Sequence, residues 1–337
     1  RARMARAQMR SVLLSSQLVS FASAFWGSTP PPPPPPPPVP PPPLWAAYES
    51  ASPFVLGLLI AYACITLLTY LIPNVLANVR GVQNLKKRYG AEWALVTGSS
   101  SGIGKAIAEA LAQQDINVVL AALEDDLLES TFAELKAKYP KVQFRSVGVD
   151  LTLADGSYMK ALSDATDDIR VNVLFLNAGF MVTGFFHQVE IGKHMANLQC
   201  NAVAGCRIAH HYLPLIYATG RPGLICFTSS SAAFIPSPFT SLYSATKAFV
   251  SRFASSLAAE AGPQGVDVMA VHPSPVRSNF LKNTTNFDII NDFYKFSTGP
   301  EAVPPQIFRK VGRGQVLADL GFVSVAMRLG TKLIDDN

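Results

Sequence analysis

The chain has 337 residues, enough to bury one large core, and 28 Lys and Arg against 23 Asp and Glu give it a net charge of +5. That charge is unevenly placed: eight cations and a single acid, Glu49, give residues 1–88 a net of +7 and leave −2 for the rest, so a basic nucleic-acid surface on the folded part is excluded. The four cysteines, Cys64, Cys200, Cys206 and Cys226, show no C-x-x-C spacing, and the histidine pair His210 and His211 points in different directions on a helix; neither a disulfide framework nor a metal site is expected.

Residues 1–29 carry four arginines, several serines and no acid, a composition like that of an organelle transit segment. Pro30 to Pro43, broken only by Val39, predicts a polyproline II linker about 3.1 Å long per residue, either a passive spacer or a ligand for proline-binding modules. Pro53 to Ile72, PFVLGLLIAYACITLLTYLI, has no charge and the length to cross a hydrocarbon layer about 30 Å thick. A transmembrane helix over 53–76 is expected, with a buried core helix or an uncleaved signal as the other readings. Trp45, Tyr48 and Tyr70 stand near its ends, where amphipathic rings favour the interface. Arg80, Lys86, Lys87 and Arg88 follow the segment, which places the large C-terminal part on the cytosolic, stromal or matrix side.

From Tyr89 short apolar runs alternate with helical patterns: EWALVTG, a helix from Gly104, INVVLAA, a helix over Glu124 to Tyr139, then VQFRSVGVD, VNVLFLN, GLICFTS and VDVMAVHP. Such alternation predicts an α/β domain, a doubly wound parallel sheet of Rossmann type over 89–337, with ligands at the carboxyl ends of the strands. The first strand ends in TGSSSGIG, Thr97 to Gly104. Gly98, Gly102 and Gly104 would let the backbone approach a pyrophosphate at a helix N-terminus. An ATPase-type phosphate loop fails here, because five residues separate Gly98 from Gly104 and Ala106 follows Lys105.

Further on, Tyr243 and Lys247 in SLYSATKAF lie four apart, one turn along the same helix face. By spacing alone this could be an idle surface pair. The ordered set TGSSSGIG, Asn177-Ala178-Gly179, Thr228 to Ser231 and YSATK resembles the short-chain dehydrogenase/reductase family over about residues 89–280. With the preceding apolar helix and KKRYGAEWALVTGSSSGIGKAIAEALA, it is most similar to the membrane-anchored very-long-chain 3-oxoacyl-CoA reductase and 17-beta-hydroxysteroid dehydrogenase branch.

The resemblance implies hydride transfer from a nicotinamide cofactor, with Tyr243 as proton donor, Lys247 as the cation that favours its phenolate and holds the ribose, and Ser230 bonded to the substrate oxygen. It implies that Asn201, in LQCNAVAG, holds a proton-relay water. Cofactor contacts are expected from Gly98, Ser100, Ser101, Gly102, Ile103, Gly104, Asp150, Asn177, Ala178, Gly179, Tyr243, Lys247, Pro273, Val276 and Ser278, while Ser229 and Ser231 would be local structure. The branch points to NADP(H), with NAD(H) as the other option.

Four positions depart from the family pattern. Ala122 and Leu123 supply neither the acid nor the arginine that usually reads the adenosine ribose, Leu176 replaces an asparagine, and Ser274 replaces a glycine. The proline rod, the missing ribose-reading residues and Ser274 support a rival reading, an accessory subunit of a membrane complex that kept the fold and cofactor cleft without the catalysis.

On the substrate side Phe180, Phe185 and Phe186, and a lid over 277–305 with Phe280, Leu281, Phe287, Ile289, Ile290, Phe293, Tyr294 and Phe296, would suit a lipid or steroid ketone; core packing would explain them equally. The tail from Ala318 to Leu333, with Arg328 and Lys332, reads as an amphipathic segment lying on a bilayer or covering the sheet. The expected setting is a single-pass membrane protein of the endoplasmic reticulum, with a chloroplast or mitochondrial membrane as the alternative. Its partners would be a lipid-like substrate, the bilayer, and a second copy or a membrane-complex subunit.

Overall fold

Seven strands, all parallel, make one sheet in the order β3-β2-β1-β4-β5-β6-β7. The computed structural model describes residues 43–278, 280 and 296–333, with backbone alone for 43–51 and 332–333. The strands are β1 (Trp93–Thr97), β2 (Asn117–Ala122), β3 (Phe144–Gly148), β4 (Val171–Leu176), β5 (Gly223–Thr228), β6 (Val266–Pro273) and β7 (Leu317–Leu320). β1 and β4 are buried along their whole length, the pattern that a parallel sheet covered on both faces imposes. Leu95 pairs with Val119 on one side and Leu174 on the other, so the chain reverses its winding between β1 and β4. The carboxyl ends of those two strands bound a crevice.

Ten helices fill the described residues: α1 (Pro43–Val79), α2 (Leu85–Tyr89), α3 (Gly102–Ala112), α4 (Asp126–Lys138), α5 (Tyr158–Asp164), α6 (Ile191–Leu198), α7 (Ala204–Ala218), α8 (Ser241–Ala261), α9 (Val303–Lys310) and α10 (Phe322–Leu333). Two apolar clusters pack against the two faces of the sheet. One gathers Ile107, Leu111, Leu135, Ile307 and Phe308; the other gathers Leu162, Ile208, Tyr212, Val250 and Ala254. A π turn, Gln199–Val203, joins α6 to α7 and carries Asn201.

The long helix α1 runs beyond the 53–76 expected from hydropathy at both ends. Its Ser52–Val79 stretch is long and apolar enough to cross a membrane, and Phe54 and Tyr62 on it are exposed. Pro43, read as the last residue of the proline rod, opens this helix, a position that tolerates the missing N–H. Residues 1–42, with the transit-like segment and the rest of the rod, lie outside the described residues, as do 279, 281–295 and 334–337.

Arg1–Thr66 and Leu67–Asn337 are two compact units. The second takes in residues ahead of Tyr89 because Ala77, Leu85 and Tyr89 are buried in it. Gln114 Oε1 accepts from Leu85 N at 2.6 Å and Asn172 Nδ2 donates to Tyr89 O at 2.7 Å, tying α2 to the sheet.

Two expectations need correction. The tail from Ala318 is not one amphipathic segment: LADL forms a seventh strand beside β6, and only Phe322 onward is helical. Four residues are too few to show a period, and Asp319 among them hides the apolar character. The lid expected over 277–305 includes Val303, which begins α9 and is buried in the core with Ile307 and Phe308.

Candidate active site

A cavity of about 700 Å³ opens at the carboxyl ends of β1, β4, β5 and β6. Its walls begin with the turn after β1. Gly98 and Gly102 have φ of 64° and 56°, conformations open to glycine at little cost. A Cβ on Gly98 would stand 2.8 Å from Ala178 Cα, and one on Gly104 would stand 2.1 Å from Gly98 O, so only glycines allow this turn to close. The N-terminus of α3 follows at once, and Ser101, Gly102 and Ile103 at its start line the cavity, a terminus that suits an anion.

The β4 end comes next. Thr97 Oγ1 accepts from Asn177 N at 3.0 Å and Ala178 N at 3.1 Å, and Thr228 Oγ1 donates to Asn177 Oδ1 at 3.1 Å. Asn177 therefore bridges three strand ends. Beyond it a Cβ on Gly179 would lie 3.0 Å from Asn201 Oδ1 and 3.2 Å from Lys247 Nζ, so the lysine reaches the cavity past a residue that has no side chain. On the loop after β3 Asp150 is held in a turn, accepting from Thr152 N at 2.9 Å and Thr152 Oγ1 at 2.7 Å.

Helix α8 supplies the tyrosine–lysine pair expected from sequence. Tyr243 and Lys247 are both buried and both line the cavity, with Lys247 Nζ 5.7 Å from the centre of the Tyr243 ring. Lys247 Nζ donates to Thr228 O at 2.9 Å. Burial pushes its pKa down to about 8, because an ammonium loses water there and the opposing influence of Cys200 is slight. Ser230 faces the same space from the turn after β5, where its Oγ accepts from Ala232 N at 3.2 Å.

Of the residues expected from sequence, Gly98, Ser100, Ser101, Gly102, Ile103, Asp150, Asn177, Ala178, Gly179, Ser230, Tyr243, Lys247, Pro273, Val276 and Ser278 all line this cavity. Gly104 stands behind the turn. Asn201 stands behind Gly179, its Oδ1 accepting from Phe180 N at 3.0 Å and its Nδ2 donating to Phe180 O at 2.9 Å. Of the aromatic residues assigned to substrate, Phe180 and Phe280 line the cavity, and Phe280 packs edge-on against Tyr243 at 5.8 Å. Phe185 instead packs on Phe239, and Phe186 on His194. Leu281, Phe287, Ile289, Ile290, Phe293 and Tyr294 lie outside the described residues.

Sequence reasoning missed, among others, Asp125, Met181, Cys200, Ile235, Pro236 and Met327, all of which line the cavity. No motif marks Met327, which reaches the cavity from α10. Ser274, which in sequence reads as a weakening replacement, caps a helix instead, since Ser324 N in the first turn of α10 donates to its Oγ at 3.1 Å.

A glycine turn on a helix N-terminus at the β1–β4 crevice, beside a buried tyrosine–lysine pair, defines a dinucleotide-dependent oxidoreductase. The family profile described as short chain dehydrogenase matches residues 92–288, more than half of the chain, and the protein belongs to that family. It is similar to the very-long-chain 3-oxoacyl-CoA reductase of Caenorhabditis briggsae, 30% identical over 231 residues that cover 66% of this chain and 73% of the relative. It is also similar to the 7beta-hydroxysteroid dehydrogenase of Mediterraneibacter gnavus, 28% identical over 237 residues, 68% of this chain and 86% of that one. Among solved structures, a short-chain dehydrogenase from Sphingobium yanoikuyae in complex with NADPH superposes with a TM-score of 0.61 at 25% identity, covering 72% of this chain and 93% of that one. The chain is thus an NAD(P)-dependent reductase of the short-chain family.

Proposed function

We propose that the protein is a membrane-anchored, NADPH-dependent reductase of a lipid-like carbonyl, with a 3-oxoacyl thioester favoured over a ketosteroid. The observation that carries this reading is the lining of the cavity beyond Tyr243, where Phe180, Met181, Ile235, Pro236, Phe280 and Met327 leave an apolar volume beside the phenol. The apolar Ser52–Val79 helix and the activities for which the two relatives are named support it.

The cradle fits a dinucleotide: Gly98 and Gly104, where a Cβ would strike Ala178 and Gly98 O, let the turn close tightly before the N-terminus of α3, and Lys247 reaches the cavity past Gly179. When bound, the nicotinamide supplies the hydride that forms the new C–H bond. Ser230 Oγ–H and Tyr243 O–H hold the substrate oxygen, and Tyr243 gives its proton as negative charge grows there. A phenol has an ordinary pKa near 10. Lys247 Nζ, a cation at neutral pH one turn away, favours the phenolate left behind. The proton lost by Tyr243 is regained from solvent by way of Lys247. Asn201 is assigned to hold Gly179 and Phe180 in place beside Lys247 and a relay water near them.

NADP(H) is proposed over NAD(H). At the adenosine end Leu123 and Asp125 offer no cation, so the hydroxyls of Ser100 and Ser101 are assigned to the 2′-phosphate. The domain is placed on the cytosolic face of the endoplasmic reticulum, with a second copy of the chain as its partner.

The test uses full-length protein in detergent with NADPH and a series of 3-oxoacyl-CoA thioesters and ketosteroids. NADPH oxidation that rises with acyl length supports the reading. Binding of NADPH without oxidation by any member of the series would overturn it.

A further inference from the structure

One group of buried polar side chains lies behind the catalytic helix and belongs to none of the roles above. His272 at the end of β6 and Asp319 on β7 are almost wholly inaccessible, each between apolar neighbours in its strand. Buried polar groups of this kind are costly unless each is satisfied. Here they join end to end. Tyr70 OH, on the part of α1 that packs with the sheet, donates to Asp319 Oδ2 at 2.7 Å. Asp319 Oδ1 lies 3.1 Å from His272 Nδ1, a close contact between the carboxylate and an imidazole that burial keeps neutral. His272 Nε2 is 2.9 Å from Ser251 Oγ, and Ser251 Oγ is 2.8 Å from both Lys247 O and Ser229 Oγ. Ser229 Oγ also reaches Lys247 O at 2.8 Å.

We propose that Tyr70, Asp319, His272 and Ser251 form a positioning relay that fixes the backbone of the Lys247 turn and ties it to the last turns of the apolar N-terminal helix. The direction of the bonds follows from proton supply. The carboxylate draws the imidazole proton to Nδ1, so Nε2 accepts the single proton of Ser251, and Ser251 Oγ in turn accepts from Ser229 Oγ, which carries the chain to the end of β5. Ser229 stands between Thr228, whose carbonyl holds Lys247 Nζ, and Ser230, which faces the cavity. The relay thus holds the catalytic helix at Ser251, one turn beyond the lysine, and, through Ser229, the strand end that receives its ammonium.

Nearby groups close the network from the sides. Arg328 Nε lies 3.5 Å from Asp319 Oδ2, its guanidinium covers the Phe234 ring at 3.8 Å, and that ring packs on His272 at 4.5 Å. Lys310 Nζ donates to Asp319 O and to Asn74 Oδ1. Asn74 therefore docks the same helix without entering the relay, which makes it the control.

The inference rests on the reading of Lys247 as a catalytic group, and two readouts separate it from that reading. Full-length wild type, Tyr70→Phe, Ser251→Ala and Asn74→Ala are compared by amide hydrogen exchange over residues 243–255 and by steady-state kinetics. Tyr70→Phe and Ser251→Ala are expected to speed exchange in that segment by roughly fivefold and to lower kcat by roughly five- to tenfold, with NADPH Kd and substrate KM within about twofold. Asn74→Ala leaves both unchanged. Should wild type reduce no carbonyl, the reductase reading falls and the exchange arm alone decides the relay. Wild-type exchange in Tyr70→Phe, or an equal effect from Asn74→Ala, would overturn it, because spatial continuity alone does not establish coupling.

Discussion

Two buried lysines in this protein share one chemistry and differ in use. Lys247 and Lys310 are each about 3% exposed, each donates to a backbone carbonyl, and burial pushes the pKa of each down to about 8. Lys310 is enclosed by Asn74 and Asp319 at the edge of the sheet and lines no part of the cavity. Lys247 looks past a glycine into the cavity with a phenol one turn away. A perturbed lysine is therefore not in itself a catalytic sign; the open volume and the partner it can polarise make the difference.

Substitution of each lysine sharpens that contrast. Lys247→Met is expected to lower kcat/KM for carbonyl reduction by roughly 10²–10⁴, as loss of acid–base assistance does, while Lys310→Met, which touches the site only by way of Asp319, lowers it by no more than about tenfold. Ser230→Ala, which removes a donor to the substrate oxygen but spares the proton source, should cost roughly 10²-fold in kcat with little change in NADPH affinity. NADPH should be preferred to NADH by less than about tenfold in kcat/KM, since hydroxyls rather than a cation meet the 2′-phosphate; a hundredfold preference would contradict that assignment.

The pH dependence of stability tests the lysines together. Below about pH 8 both are charged in the folded and unfolded chain, and the folded state bears the cost of burying them. Between about 8 and the ordinary value of 10.5 the unfolded chain binds more protons, so their contribution to stability rises with pH through that window. Denaturant titrations of wild type and Lys310→Met at pH 7.5 and 10, about the window's two sides, should show a smaller rise in the mutant. The smallest effect is expected at Ser274→Gly: loss of the cap on α10 costs about 1 kcal/mol by urea titration and leaves NADPH affinity unchanged. An effect on affinity instead would return weight to the accessory-subunit reading.

Most of the cavity wall is legible in the sequence because its chemistry sits in contiguous motifs. TGSSSGIG, the asparagine turn and YSATK each place several wall residues on one strand end or helix turn, so order along the chain carries the geometry. What is not legible comes from residues whose neighbours say nothing. Met327 is one apolar side chain on an amphipathic helix, and Asp319 interrupts a strand four residues long. His272 ends a strand as an ordinary buried residue until β7 and α1 bring Asp319 and Tyr70 to it. Ser229 reads in the sequence as local structure, and only its bonds to Lys247 O and Ser251 reveal a connection. Pairing between distant segments is the information that spacing lacks.

The most direct test of the proton-donor assignment is Tyr243→Phe, with NADPH affinity and carbonyl turnover measured on the same preparation. NADPH is predicted to bind within about threefold of wild type while turnover falls by roughly 10²–10⁴, because only the donated proton is removed. Turnover near the wild-type rate in that variant would contradict the assignment.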